Sequence, residues 1–288
     1  MLAAATEGCP AICDDGRLTF ERRSDAPPSA WTRRVVCSHT APWTAQAGSV
    51  SDVLSLPEQI SVALFDLDGV LTSTAVLHRV AWKAAFDDFL RDRDGDDFVP
   101  FTEQDYLDYV DGRPREDGVR AFLSSRGIDD VDDATTERIG SEKNEMFLAK
   151  LASDGVNPYP GSVRYLQAAQ DAGLRVAVVT SSKNGEAVLD AAGLSKYVEV
   201  RVDGQETAAR GLRGKPAPDS FLLGAELMGV EPTAAAVFED AISGVQAGVA
   251  GHFGYVVGID RVGGSQAEAM RTAGADVVVN DLDELIPA

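Results

Sequence analysis

Apolar residues along the chain gather into short unbroken runs: "SVALFD" (61–66), "LRVAVVT" (174–180), "AAAVFED" (234–240), "FGYVVGID" (253–260) and "ADVVVND" (275–281). A strand with one face in water alternates apolar and polar residues. Unbroken runs of this length instead fill a parallel sheet covered on both faces. Between them lie amphipathic segments, "PGSVRYLQAAQDAG" (160–173), "PDSFLLGAELMG" (218–229) and "AISGVQAGVAG" (241–251), each opening on a polar, small or proline position and closing near glycine as helices do. A short helix is expected within "SDVLSLPEQI" ahead of the first strand. Strands alternating with helices predict an α/β fold, a doubly wound, Rossmann-like parallel sheet.

One interval breaks the alternation. From 74 to 157 only helical patterns occur: "TAVLHRVAWKAAFDDFLRDR", "TEQDYLDYV", "REDGVRAFLSSRG" and "TTERIGSEKNEMFLAKLASD". An all-helical insert after the first strand is expected to form a cap domain over the carboxyl edge of the sheet, where open α/β folds bind ligands. The expected division is an N-terminal extension over 1–48, an α/β core domain from 49–73 and 158–288, and a helical cap domain over 74–157.

Composition sharpens this division. The 288 residues carry a net charge of −20, but residues 1–48 balance five arginines against five acids, so the whole excess belongs to the remainder. A surface that acidic repels the phosphate backbone, which argues against nucleic acid as partner. No run approaches the roughly 18 apolar residues of a membrane span, and the start lacks the basic and apolar regions of a secretory signal. A cytoplasmic monomer is therefore expected. The first 48 residues show no periodicity, are broken by Pro27, Pro28 and Pro42, and are expected to be disordered. They hold Cys9, Cys13 and Cys37, all the cysteines of the chain, so no disulfide or thiol site is available to the main body. Cys9, Cys13 and His39 as metal ligands compete there with unpaired cysteines in a loose tail.

The candidate chemistry lies at strand ends. In "VALFDLDGVLTST" (62–74) a buried strand ends by placing Asp66 and Asp68 one residue apart, on the same side of the strand, before Gly69. Two like charges at that range repel, which a divalent cation, a phosphate or both would relieve. Glu239 and Asp240 end another strand, and carboxylates from two strands can meet at one Mg²⁺; Asp240 has the rival role of capping the next helix. Thr180 ends a third strand, with Ser182 and Asn184 opening a helix whose free N–H groups favour an anion, or which is simply capped by them. Lys215 is either a solvated charge or the counter-charge these groups need.

Asp66-x-Asp68, a strand-terminal Thr180, Lys215 and the Glu239–Asp240 pair, in that order over about residues 59–288, resemble the haloacid dehalogenase superfamily of phosphotransferases. The stretches "FDLDGVLTSTAVLHRVAWKAAF", "GRPREDGV", "EKNEMF", "TSSKNG" and "GKPAPDSF" are similar to its beta-phosphoglucomutase subfamily. The resemblance implies Asp66 as nucleophile, Asp68 as general acid and base, and Thr180 and Lys215 on the transferring phosphate. It places Mg²⁺ on Asp66, the Asp68 carbonyl and Asp240, with Glu239 beside it. It gives His78 a role in gating the acid/base from the cap hinge, with Trp82 and Lys83 following. Arg115 would bind the non-transferring phosphate, with Ser182, Lys183 and Asn184 as its partners in the core and Lys143 near the sugar. The implied activity is a phosphoglucomutase interconverting beta-D-glucose 1-phosphate and glucose 6-phosphate through a phosphoprotein, the Asp66 aspartyl-phosphate, and glucose 1,6-bisphosphate as intermediate and activator. A sugar-phosphate phosphatase (hydrolase) of the same fold and a non-catalytic phosphometabolite-binding protein are the alternatives. The chain departs from the subfamily at Ala241, where the pattern carries serine, at Ser73, where it carries an acid, and in "DGQETAARGLRG" (203–214).

Overall fold

The structure, a computed structural model, describes residues 49–287; the expectations for residues 1–48, with their cysteines and His39, lie outside these. Six parallel strands form one sheet: β1 Val62–Phe65, β2 Arg175–Val179, β3 Val200–Val202, β4 Ala235–Glu239, β5 Tyr255–Ile259 and β6 Val277–Val279, in the order β3-β2-β1-β4-β5-β6. The helices, numbered in chain order, are α1 Val50–Leu54, α2 Thr74–Asp94, α3 Glu103–Asp105, α4 Arg115–Ser125, α5 Asp133–Asp154, α6 Pro160–Asp171, α7 Gly185–Ala191, α8 Gly204–Ala209, α9 Asp219–Met228, α10 Ile242–Ala250 and α11 Gln266–Ala273.

The unbroken apolar character of β1 has its cause in two cores. Ala63 and Phe65 point into one apolar layer shared with Tyr165 and Leu166 of α6, whereas Val62 and Leu64 point into another with Phe221 and Leu223 of α9 and Val245 of α10. Either set left in water would forgo roughly 1.5–3 kcal/mol per large side chain, so neither face tolerates a polar residue.

The five expected strands form, and a sixth, β3, joins them at the edge. Its sequence "VEVRV" is short and alternates with Glu199 and Arg201, so it lacks the two-sided signature of the others. The insert from Thr74 to Asp154 is helical, with a core of its own built on Trp82, Phe86, Phe101, Phe122 and Ile139. "TEQDYLDYV" is not one helix: after α3 a π turn spans Tyr106–Val110, closed by Asp111 N donating to Tyr106 O at 2.9 Å. That widened turn buries Tyr106 and Val110 and delivers the loop 111–114 to the sheet edge.

β1 lies at the centre of the sheet between β2 and β4. The carboxyl ends of these three strands therefore bring Asp66, Thr180, Glu239 and Asp240 to one place.

Candidate active site

Carboxylate oxygens of Asp66, Glu239 and Asp240 lie within 4.8 Å of one another, all on buried or nearly buried residues. Lys215 enters from the loop before α9. Its ammonium donates to Asp66 Oδ1 at 2.6 Å, to Val179 O at 3.2 Å and to Glu239 Oε1, which uses its three donors. Glu239 is fully buried, and its other oxygen accepts from Ala241 N at 3.2 Å. It is brought into the cluster, as the sequence suggests, but turned onto Lys215. Asp240 is not a helix cap: Ala241 holds that position on α10 and no side chain caps it. The Asp240 carboxylate instead occupies the space over Gly69, where a Cβ would stand 1.7 Å from Oδ2.

Burial pushes Asp66 well above the usual carboxylate range; Lys215 opposes that shift, and the charges of Glu239 and Asp68 reinforce it. Asp240 is raised in the same way, by burial and then by Asp111 and Asp66. Asp66 and Glu239 share the ammonium of Lys215, whereas the Asp240 carboxylate has no cation paired with it among the described residues. Among the described residues, this excess of hard oxygen donors around a common point is what a divalent ion such as Mg²⁺ fits.

Asp68 is ordered differently. Its carboxylate turns away from the cluster and accepts from Thr74 Oγ1 and, at 3.3 Å, from Thr180 Oγ1. His78 Nε2 stands 3.3 Å from Asp68 Oδ1, angled so that no hydrogen bond is completed. Burial alone would raise Asp68, but His78 and Thr74 pull it down to about 2. The protein groups by themselves thus favour the proton on Asp66 and the charge on Asp68, opposite to the roles the sequence resemblance gives them.

Across the cleft, Lys143 Nζ meets His78 Nδ1 at 2.5 Å and sits 5.1 Å from the Trp82 ring and 5.0 Å from that of Phe147. Burial, with Arg115 adding to it and Asp68 opposing, lowers Lys143 to about 7. An ammonium donating to Nδ1 leaves the proton of a neutral His78 on Nε2, facing Asp68, and burial followed by the Lys143 charge keeps His78 below its ordinary value. Arg115, at the start of α4, donates to Asn144 Oδ1 at 2.8 Å; Asn184 Nδ2 reaches the same oxygen at 2.9 Å. Lys183 pairs with Glu116 at 2.7 Å. Ser182 N donates to Thr180 Oγ1 at 3.0 Å, and Ser182 Oγ accepts from Asn184 N at 3.2 Å, so these side chains also shape the turn before α7.

An open cleft of about 590 Å³ is lined by Asp66, Asp68 and Asp240 and by Arg115, Lys143 and Lys183. Trp82, His78, Thr180 and Ser182 also line it; Asn184, Lys215 and Glu239 stand behind it. Lys83 lies outside, paired with Asp87 at 2.8 Å. Sequence reasoning missed Asn144, which ties Arg115 to the core, and Asp111, which lines the cleft and is raised to about 7 by burial against the opposing Tyr106 hydroxyl. The signal for Asp111 was its place in "VDGRPR", a turn that must present its own backbone. Ser243 Oγ donates to Asp111 O at 3.0 Å and Ser181 Oγ to Gly112 O at 2.8 Å, which latches the insert to the sheet edge.

Residues 60–252 match the model of the haloacid dehalogenase-like hydrolase family. A beta-phosphoglucomutase of Mycobacterium tuberculosis is 54% identical over 249 residues, covering 82% of this chain and 95% of that one. A phosphorylated carbohydrates phosphatase of Thermotoga maritima is 28% identical over 227 residues, 76% of this chain and 94% of its own. Among solved structures, a beta-phosphoglucomutase from Clostridium difficile shares the fold with a TM-score of 0.65 at 24% identity, over 78% of this chain and 93% of that one.

Proposed function

The chain belongs to the haloacid dehalogenase-like hydrolase family, an enzyme family whose Mg²⁺ dependence it shares, and on that premise we propose that it is a beta-phosphoglucomutase. The substrate is beta-D-glucose 1-phosphate, the product glucose 6-phosphate, and glucose 1,6-bisphosphate both the intermediate and the activator. Residues 74–157 act as the cap and residues 49–73 with 158–288 as the core. The observation that supports this reading best is a cleft lined both by the phosphoryl-transfer carboxylates and by three cations besides Lys215, namely Arg115, Lys143 and Lys183. A bisphosphate that turns over between two half-reactions needs a cationic pocket at each end, whereas a phosphatase needs one.

Asp66 attacks phosphorus to form an aspartyl-phosphate; Lys215 and the Thr180 hydroxyl hold the transferring group, and Glu239 holds Lys215. Mg²⁺, on Asp66, the Asp68 carbonyl and Asp240, would neutralise charge on the nucleophile and the phosphoryl oxygens. Asp68 gives a proton to the departing sugar oxygen and takes one from the attacking hydroxyl. Thr74, Thr180 and His78 keep its carboxylate aside until substrate draws the cap in. Trp82 walls the sugar site, and Ser182 and Asn184 steady the Arg115 end. All of these groups come from one chain, so the site as proposed is complete in a monomer. A cytoplasmic location fits a charged sugar phosphate that does not cross a bilayer unaided.

The test is a coupled glucose 6-phosphate assay on beta- against alpha-glucose 1-phosphate, with free phosphate followed in parallel. Turnover of the beta anomer without matching phosphate release supports the mutase, and stoichiometric phosphate release would make it a phosphatase. Arg115→Ala should lower kcat/KM for the sugar phosphate by about 10- to 100-fold, as for one lost charge-assisted pair. Hydrolysis of a small aryl phosphate, which has no second phosphate, should barely change.

Lys143 adds a pH dependence. It is cationic below about 7 and neutral above, since burial first and Arg115 second weaken its hold on the proton while Asp68 strengthens it. The free enzyme should therefore lose affinity for the sugar phosphate as pH rises, with kcat/KM falling by about tenfold per unit above that pH. In Lys143→Met that limb should flatten, and an unchanged limb would assign it to another group.

A further inference from the structure

Three stretches far apart in the chain meet behind the Asp66–Thr72 loop at one side chain. Arg261, just past β5, donates from Nε to Gly69 O at 2.9 Å and from Nη1 to Asn280 O at 2.7 Å. Its Nη2 reaches Asp281 Oδ1 at 3.1 Å and Val70 O at 3.4 Å. The guanidinium carbon stands 3.7 Å from the centre of the Tyr159 ring, and the side chain is 16% exposed. A planar fork engaged this fully is positioned, unlike a solvated surface charge. The arrangement is reinforced from both sides. Buried Ser162 donates to Val70 O at 2.7 Å, and Asp281 accepts from Leu282 N at 2.8 Å.

The grip falls on an unusual residue. Gly69 has φ +90°, and its missing Cβ leaves the space that Asp240 Oδ2 fills. The peptide before it is held because Gly69 N donates to Thr72 O at 2.8 Å; in a trans peptide the Asp68 carbonyl then points the opposite way. The peptide after it is held at its carbonyl by Arg261. Both planes flanking Gly69 are thereby fixed, and with them the direction of the Asp68 carbonyl and the floor on which Asp240 rests.

We propose that Arg261 is a positioning residue for the cation site: through the Gly69 and Val70 carbonyls it holds the turn that presents the Asp68 carbonyl and seats the Asp240 carboxylate. It touches neither substrate nor the carboxylate cluster. The assignment rests on the reading of Asp66, the Asp68 carbonyl and Asp240 as Mg²⁺ ligands. Groups that orient metal ligands from behind are commonly worth 10- to 100-fold in metal affinity.

Calorimetric titration of Mg²⁺ into metal-stripped full-length protein tests it, with Arg261→Ala, Arg261→Lys and, as control, Arg164→Ala. The control removes an exposed ion pair with Asp283, on the same C-terminal segment. Arg261→Lys keeps charge and stem but not the fork, and should weaken Mg²⁺ by about tenfold, with Arg261→Ala at least as weak and Arg164→Ala unchanged. In aryl phosphate hydrolysis the Arg261 variants should show a raised KM for Mg²⁺ with kcat at saturating Mg²⁺ largely kept. Arg261 variants that melt earlier yet bind Mg²⁺ as the wild type does would reduce Arg261 to a staple for the C-terminal segment and overturn the proposal. Should Arg261→Ala fail to fold, the lysine variant decides. A wild-type protein that binds no Mg²⁺ would sink the reading of the site as well, whereas normal wild-type binding with unaltered variants sinks only Arg261.

Discussion

Asp66→Asn should yield a folded protein that forms no phosphoenzyme and has lost activity by about 10⁵- to 10⁶-fold, the scale on which removal of a nucleophile is felt. The check is labelling with glucose 1,6-bisphosphate carrying radioactive phosphate, followed by hydroxylamine, which releases phosphate from an acyl-phosphate. Persistent hydroxylamine-sensitive label in the variant would remove Asp66 from that role. Stability separates lost chemistry from lost structure. Burial is the largest influence on Asp66 and raises it, with Glu239 and Asp68 pushing the same way and Lys215 opposing. An acid whose folded pKa exceeds its unfolded value makes the folded state lose stability as pH rises from the lower value through the higher. Asparagine imitates the protonated form, so without Mg²⁺ the variant should melt no lower than the wild type at neutral pH. Lys215 retains Glu239 as its partner.

How much of this was legible in the sequence follows from what each residue has to do. Asp66, Glu239 and Asp240 stand out as a set because several carboxylates gather at the ends of apolar strands, and the parallel order of β1, β2 and β4 brings them together; singly such an acid can cap a turn or a helix, as Asp260 and Asp281 do. Lys215 has little local signal; its meaning came from the ordered set. β3 escaped because three residues at a sheet edge carry no two-sided apolar run. Asn144 and Arg261 escaped for another reason: a polar residue on a helix face or in a "DRVGG" turn reads the same whether it meets water or a backbone carbonyl. Only the fold places Asn144 against Arg115 and Asn184, and Arg261 against Gly69.

The relative acidity of Asp66 and Asp68 was also beyond the sequence, because it depends on which neighbours each carboxylate faces once buried. This difference bears on the second large effect. Asp68→Asn should slow transfer to and from the sugar by about 10²- to 10⁴-fold, the usual worth of a general acid and base. The loss should depend on the leaving group. A sugar alkoxide needs a proton as it departs, but an aryl oxide leaves unaided, so phosphorylation of the enzyme by an aryl phosphate should survive in the variant. The next step should not, since the attacking hydroxyl no longer meets a carboxylate that can accept its proton. Asp68→Asn supplied with an aryl phosphate should therefore accumulate the labelled aspartyl-phosphate that Asp66→Asn never forms. In the resting arrangement Thr74, Thr180 and His78 surround the Asp68 carboxylate, and against the effect of burial His78 first, then Thr74 and the Lys143 charge, hold it down to about 2. Release from these neighbours raises its affinity for a proton, so the same carboxylate becomes a usable acid only when substrate has displaced it. Equal slowing of sugar and aryl substrates at every step would show that Asp68 acts by placing its backbone carbonyl alone.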